Sequence, residues 1–245
     1  MNDLVDRLNA TERHLTAPYR RPVDAATLLV LDKAAGGPIR VMMGKRSARH
    51  VFMPGHFVFP GGRVDPADSR VPLLDDYDPA VLARLMTAMR APKSAARARA
   101  FAVAAVREAY EEAGLFVGRA TERAPRGDDW AAFASRGLGP TLAPIRFVAR
   151  AITPPGRPRR FDTRFLAVWA DAVADALPEG TGPSGELEEV QWVALDDVAS
   201  LHIASIQQVV IDELSRRLAA DPALSDDAPV PLYRWLGRAF VREDL

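Results

Sequence analysis

The nine residues from Arg107 to Leu115, REAYEEAGL, constrain the fold of this chain more than any other stretch. Read as a helix at 3.6 residues per turn, they place Glu108, Glu111 and Glu112 within about 100° of one another. Cβ atoms three or four positions apart on a helix lie about 5–6 Å apart, and like charges there repel. A helix gains nothing from that arrangement. A hard cation does, because Mg²⁺, Mn²⁺ and Ca²⁺ take carboxylate oxygens. The opposite face carries Val103, Val106, Ala109, Tyr110 and Ala113, an apolar stripe that faces a core. Gly114 follows as a natural C-terminal stop. The chain must bury one side of this helix and hold the other as an acidic comb. The competing reading is a solvated acidic face of an ordinary helix.

Composition narrows the classes. A chain of 245 residues can bury a full core. With 32 basic and 32 acidic residues the formal net charge is zero, so no electrostatic argument favours nucleic acid. Cysteine is absent, which removes disulfides, thiolate metal sites and cysteine nucleophiles. The four histidines, His14, His50, His56 and His202, are scattered, with no close pair of the kind a zinc site favours. The N-terminus lacks a signal peptide's apolar core, and no apolar run approaches membrane-spanning length. The expectation is a cytoplasmic protein without membrane contact.

In chain order, Met1 to Arg21 is expected to be a loose or lightly docked arm. Ala25 to Leu31 and Ile39 to Lys45 read as a hairpin around Gly36, Gly37 and Pro38. Phe57 to Phe59 is a short strand broken by Pro60, Gly61 and Gly62, where the backbone can come close to a ligand. Helices are expected over Asp75 to Ala91 and from about Ser94 into REAYEEAG. Ile145 to Ile152 and Phe161 to Trp169 read as strands joined by TPPGRPRR, a basic loop able to contact an anion. Glu189 to Val193 is a further strand, Leu195 to Ser200 a helical turn and Ser205 to Ala220 an amphipathic helix. The tail with Pro231, Tyr233 and Trp235 is expected to pack on the body. No linker divides the chain, so one domain over 1–245 is expected, with an arm at 1–22 and a tail at 221–245.

Two stretches together resemble the box of the Nudix hydrolases, G-x5-E-x7-R-E-U-x-E-E-x-G-U with U apolar. Gly62 is followed by five residues and then Asp68 in place of the first Glu, and Arg107, Glu108, Ala109, Glu111, Glu112, Gly114 and Leu115 match the second half. Between Asp68 and Arg107 lie 38 residues rather than seven. The box is thus interrupted, with a helical insertion over about 69–98. A Nudix branch similar to peroxisomal coenzyme A diphosphatase carries such an interruption. FMPGHFVFPGG (Phe52 to Gly62) and RFDTRF (Arg160 to Phe165) resemble segments of that branch.

The resemblance implies an α/β fold: a Nudix α/β/α sandwich with a mixed sheet. It implies a metal-dependent hydrolase of a diphosphate linked to another moiety. Glu108, Glu111 and Glu112 would ligate Mg²⁺ or Mn²⁺, helped by the Gly61 carbonyl, and Arg107 would brace the loop. The general base is Glu186 in GELEEVQWV, with Glu189 next and Glu112 open as a third candidate. Arg46, Ser47, Gly55, Phe59, Pro60, Gly61 and Gly62 match a coenzyme A diphosphatase signature in part; Met42, Met43, Gly44 and Val51 depart from it, and Arg49 is out of register. Coenzyme A or acyl-coenzyme A is the first substrate expected, gripped by Arg46, Arg160 and Arg164 within a basic stretch from Arg157 to Arg164. The alternatives are an ADP-ribose or nucleotide-sugar pyrophosphatase and a non-catalytic nucleotide-binding module. The partner is a small nucleoside diphosphate derivative; the oligomeric state stays open, a homodimer included.

Overall fold

The computed structural model describes residues 2–11, 15–33, 36–48, 54–225 and 228–245. Helix α1 (Asn2–Ala10) leads into strands β1 (Val23–Lys33), β2 (Ile39–Arg46), β3 (Phe57–Val58) and β4 (Gly61–Arg63). Helices α2 (Pro79–Met86) and α3 (Ala95–Ala113) follow, then β5 (Leu115–Val117), β6 (Arg119–Ala120), α4 (Ala131–Ser135) and β7 (Leu138–Gly139). The second half holds β8 (Arg146–Ile152), β9 (Phe161–Trp169), β10 (Val173–Ala176), β11 (Leu187–Ala194), α5 (Ser205–Ala220), β12 (Pro231–Leu236) and β13 (Ala239–Asp244).

One sheet organises the molecule, in the order β11-β2-β1-β9-β8-β12-β13, with β3 on β2 and β4 on β1. β1 runs parallel to β9 through nine paired positions, and β12 parallel to β8; the other pairs are antiparallel. The alternation of β1 explains the layers. Ala26, Leu28 and Val30 face a core shared with α2 and α3, while Leu29 and Leu31 face one shared with α1 and α5. The result is the expected α/β/α sandwich on a mixed sheet.

Helix α3 begins where the Ser94 hydroxyl accepts the Arg97 N–H, at 3.2 Å. It ends at Gly114, whose φ of 70° lets its N–H reach the Tyr110 carbonyl at 2.9 Å. A Cβ there would lie 2.9 Å from both Leu177 Cβ and the Thr181 carbonyl. Gly114→Ala is therefore expected to destabilise the fold by roughly 1–2 kcal/mol, from the left-handed backbone and the crowding together. Urea denaturation checks it, and an unchanged midpoint would contradict the capping role.

Two expectations need correction, and a third is met and exceeded. The N-terminal arm is a docked helix: Leu4 and Leu8 are 1% exposed against the α5 face. Their spacing of four is the signal, overlooked among polar neighbours. The helix expected over Asp75 to Ala91 covers only Pro79–Met86. Pro79 fixes its first turn after the Asp78 cap, and Asp75 turns away to accept N–H bonds from Leu142 and Ala143. The far end stops early because Arg150 binds the Thr87 and Ala88 carbonyls. The tail does more than pack: β12 and β13 extend the sheet.

Candidate active site

Helix α3 lies against β4, and this contact builds the site. Gly62 is the close approach: a Cβ on it would fall 2.2–2.7 Å from the Glu108 carboxyl group. The double glycine of FPGG thus lets the Glu108 side chain lie flat on the backbone of β4. Next to it, the Gly61 N–H donates to Glu112 Oε2 at 2.9 Å.

Arg107 joins both halves of the interrupted pattern. Its Nε donates to Asp68 Oδ1 at 3.2 Å, and its Nη2 to the Arg63 carbonyl at 3.1 Å. Nη1 donates to Glu108 Oε1 at 2.8 Å and to Glu111 Oε2 at 3.0 Å. Asp68 and Arg107 are both buried, so residues far apart in sequence meet as an enclosed ion pair. Burial raises Asp68 above the usual carboxylate range against the pull of Arg107. Burial would lower the guanidinium of Arg107, but Asp68, Glu108 and Glu111 outweigh it and hold it above its ordinary value.

The comb is short of positive charge. Burial pushes Glu112 up to about 8, with the Gly61 N–H opposing and Glu108 adding to the rise. Burial lifts Glu108 to about 7 despite Arg107, and it raises Glu111 as well. These are carboxylates whose charge the protein alone does not balance, and their all-oxygen donor set suits a hard divalent cation. Among the described residues, however, no three acidic or imidazole groups close on one point as a preformed ligand set. Glu108 and Glu111 converge on Arg107, while Glu112 turns to Gly61.

A carboxyl with a folded pKa above its unfolded value of about 4.5 makes the folded state bind more protons than the unfolded state in between. The metal-free protein is therefore expected to lose stability as pH rises from about 4.5 to about 8, by a few kcal/mol. The ceiling for each carboxyl is about 1.4 kcal/mol for every pH unit that separates its folded from its unfolded pKa. Denaturant midpoints across pH 5–8 in EDTA check this. A stability that is flat or rises over that window would contradict it.

Arg46, at the end of β2, spans the remaining acids. Its Nη2 donates to Glu186 Oε2 at 2.8 Å and lies 3.7 Å from Glu112 Oε1. This brings the candidate base to the comb. The loop before β11 is stitched to the end of α3, with the Gly182 N–H on the Glu112 carbonyl and the Ser184 N–H on the Glu111 carbonyl. Glu189 sits on β11 opposite Lys45 and is exposed.

The other two arginines are elsewhere. Arg164 is 1% exposed; its Nη1 donates to the Asp162 carbonyl and approaches Asp24, and its guanidinium lies 4.0 Å from the Phe101 ring centre. Burial lowers it to about 10, Asp162 opposing. Arg160 donates to the Thr153 and Arg20 carbonyls and stacks on Tyr19. Both are buried and bonded internally, Arg164 through Nη1 alone with its Nε and Nη2 left without a hydrogen-bond partner among the described residues, so the expected phosphate grip by Arg160 and Arg164 is corrected to a structural role. The basic loop is itself tied to the N-terminal segment through Ala17 and Gly156. Arg49, Val51 and Phe52, which belong to the matched signature and its departures, lie outside the described residues, as do His14 and His50. His56 and His202 are not apart: their rings stack with centres 3.7 Å from each other. Sequence distance concealed that pair; no third ligand completes it among the described residues.

No helix among the described residues is long and apolar enough to cross a membrane. No protein-family model and no curated protein matches the chain. Solved structures do. A Nudix hydrolase from Alicyclobacillus acidocaldarius aligns at a TM-score of 0.59 and 27% identity, over 82% of this chain and 93% of that one. Weaker likenesses include an Ap4A hydrolase from C. elegans, at a TM-score of 0.41 and 18% identity over 81% of this chain and 98% of that one. The Nudix domain of NrtR from Shewanella oneidensis, complexed with ADP ribose, aligns at 0.46 and 12% identity over 82% and 90%. On the alignment with the Alicyclobacillus acidocaldarius structure, the chain has the Nudix hydrolase fold.

Proposed function

We propose that this protein hydrolyses the diphosphate linkage of a nucleoside diphosphate derivative with the help of Mg²⁺ or Mn²⁺. The observation that carries the reading is the Arg107 junction, where Asp68, Glu108 and Glu111 meet on one guanidinium beside Gly61 and Gly62. It favours one box interrupted by residues 69–98, a segment whose described helices are α2, a short 3-10 turn at Asp68–Arg70 and the start of α3. Residues 1–245 act as one domain around the single large sheet.

Glu108, Glu111 and Glu112 would hold the cation, with Arg107 keeping the comb against β4. A bound cation neutralises diphosphate oxygens and lowers the pKa of an attacking water. Glu186 takes the proton from that water as general base. Arg46, between Glu112 and Glu186, offers a planar fork to a phosphate oxygen. A cavity of about 420 Å³ begins one residue past Glu112, at Ala113, and is lined by Met42, Leu115, Leu177, Val190 and Trp192. Its lining is mostly apolar, with Asp175 as its one charged residue, so it suits an apolar rather than an anionic part of the substrate.

Coenzyme A or acyl-coenzyme A remains the first candidate on the sequence signature. With Arg160 and Arg164 withdrawn, Arg46 alone among the three arginines supports it, and ADP-ribose is the second. A panel of coenzyme A, its 3′-dephospho form, ADP-ribose, NADH and dinucleoside polyphosphates, each with Mg²⁺, Mn²⁺ or EDTA, tests both levels. Cation-dependent cleavage is expected, with coenzyme A fastest and giving adenosine 3′,5′-bisphosphate and 4′-phosphopantetheine. Faster turnover of ADP-ribose would move the substrate; no turnover of any diphosphate would remove the enzyme reading.

A further inference from the structure

β11 pairs with β2 through a break in register. Leu187 faces Arg46, but Glu189 faces Lys45 and Val190 faces Gly44, so Glu188 is the extra residue of a β-bulge. Two bonds from a single residue, Ser47, clasp this bulge. Its N–H donates to the Glu186 carbonyl at 3.0 Å, and its hydroxyl donates to Glu188 Oε1 at 2.6 Å. Ser47 is buried, whereas Glu188 is exposed.

Glu186 lies just before the bulge. Its carboxylate lies 2.8 Å from Arg46 Nη2, and its carbonyl is the one the Ser47 N–H holds, so the two Ser47 bonds fix the backbone on both sides of Leu187. We propose that the Ser47–Glu188 bond is a positioning device that holds the bulge and so aims Glu186 into the site. This rests on the reading of Glu186 as general base. Neither residue needs to touch the substrate; both act through Glu186.

The test is a double-mutant cycle in steady-state kinetics, using whichever nucleoside diphosphate derivative turns over fastest. Ser47→Ala and Glu188→Ala are each expected to lower kcat by about 10- to 100-fold, the effect of a displacement on the order of 1 Å in a reacting group. KM and the activating cation concentration stay unchanged. Ser47→Thr, which keeps the hydroxyl, retains activity. In a Glu186→Gln background the same substitutions cost no further activity, because the group they aim is gone. Equal losses in both backgrounds would overturn the proposal, as would wild-type kcat in Ser47→Ala and Glu188→Ala beside an impaired Glu186→Gln. Wild-type rates in Glu186→Gln would remove the base reading and the positioning role with it. Because Glu188 is exposed, Glu188→Ala carries the test even if Ser47→Ala does not fold.

Discussion

Glu112→Gln is expected to lower kcat by about 10²–10³-fold or more while leaving the fold intact, the loss typical when a group that organises transition-state charge is removed. The fold survives because Gln keeps an acceptor for the Gly61 N–H. It also removes a carboxyl that burial holds near 8, so stability above that pH should rise rather than fall. Glu111→Gln should behave alike, though Glu111 is less enclosed and also bonded to Arg107. Thermal melts and kinetics at saturating Mg²⁺ separate the two effects. Wild-type turnover in both variants would place the reaction elsewhere.

Arg107→Ala is expected to destabilise the protein by about 3–5 kcal/mol, because breaking a buried ion pair leaves uncompensated charge behind. Asp68 is 3% exposed, and Glu108 lies flat on β4, so neither can turn to water without disturbing the β4–α3 contact. Protonation limits the cost, since burial already raises Asp68 and Glu108. Arg107→Lys should recover only part of the loss. An ammonium cannot reproduce a planar fork that serves Asp68, Glu108, Glu111 and the Arg63 carbonyl together. Guanidinium chloride denaturation measures both variants; a midpoint shift near zero for Arg107→Ala would make the junction ornamental.

The parts of this site that can be read from the sequence share a cause: local chemistry that only one geometry satisfies. The expected start near Ser94 and the stop at Gly114 fall within one residue of the ends of α3, and the glycine pair does mark a close approach, to the Glu108 side chain. The sheet strands follow from apolar runs that suit both faces of β1 and β9. What escapes is long-range. Whether an arginine on a strand meets a phosphate or an aspartate depends on which strand pairs with it. Arg164 reaches Asp24 because β9 lies parallel to β1, a pairing that no local pattern encodes, while Asp162 is its neighbour two residues back on the same strand. The bulge at Glu188 is hidden for the same reason, since it exists only relative to β2. Helix α1 escapes because its docking rests on two buried leucines, with Val5, and on the partners of Arg7 and Asn9 far away in sequence.

The central claim is that Glu108, Glu111 and Glu112 form a cation site on one face of α3. Titration of Mn²⁺ into the protein, followed by the loss of the free-ion EPR signal, addresses it without any choice of substrate. Saturable binding by the wild type is expected at about pH 7.5, tighter as pH rises because protons compete for Glu108 and Glu112. Binding in Glu112→Gln is expected to be weaker by about tenfold or more. Equal Mn²⁺ affinity in wild type and Glu112→Gln, or none in either, would contradict the claim.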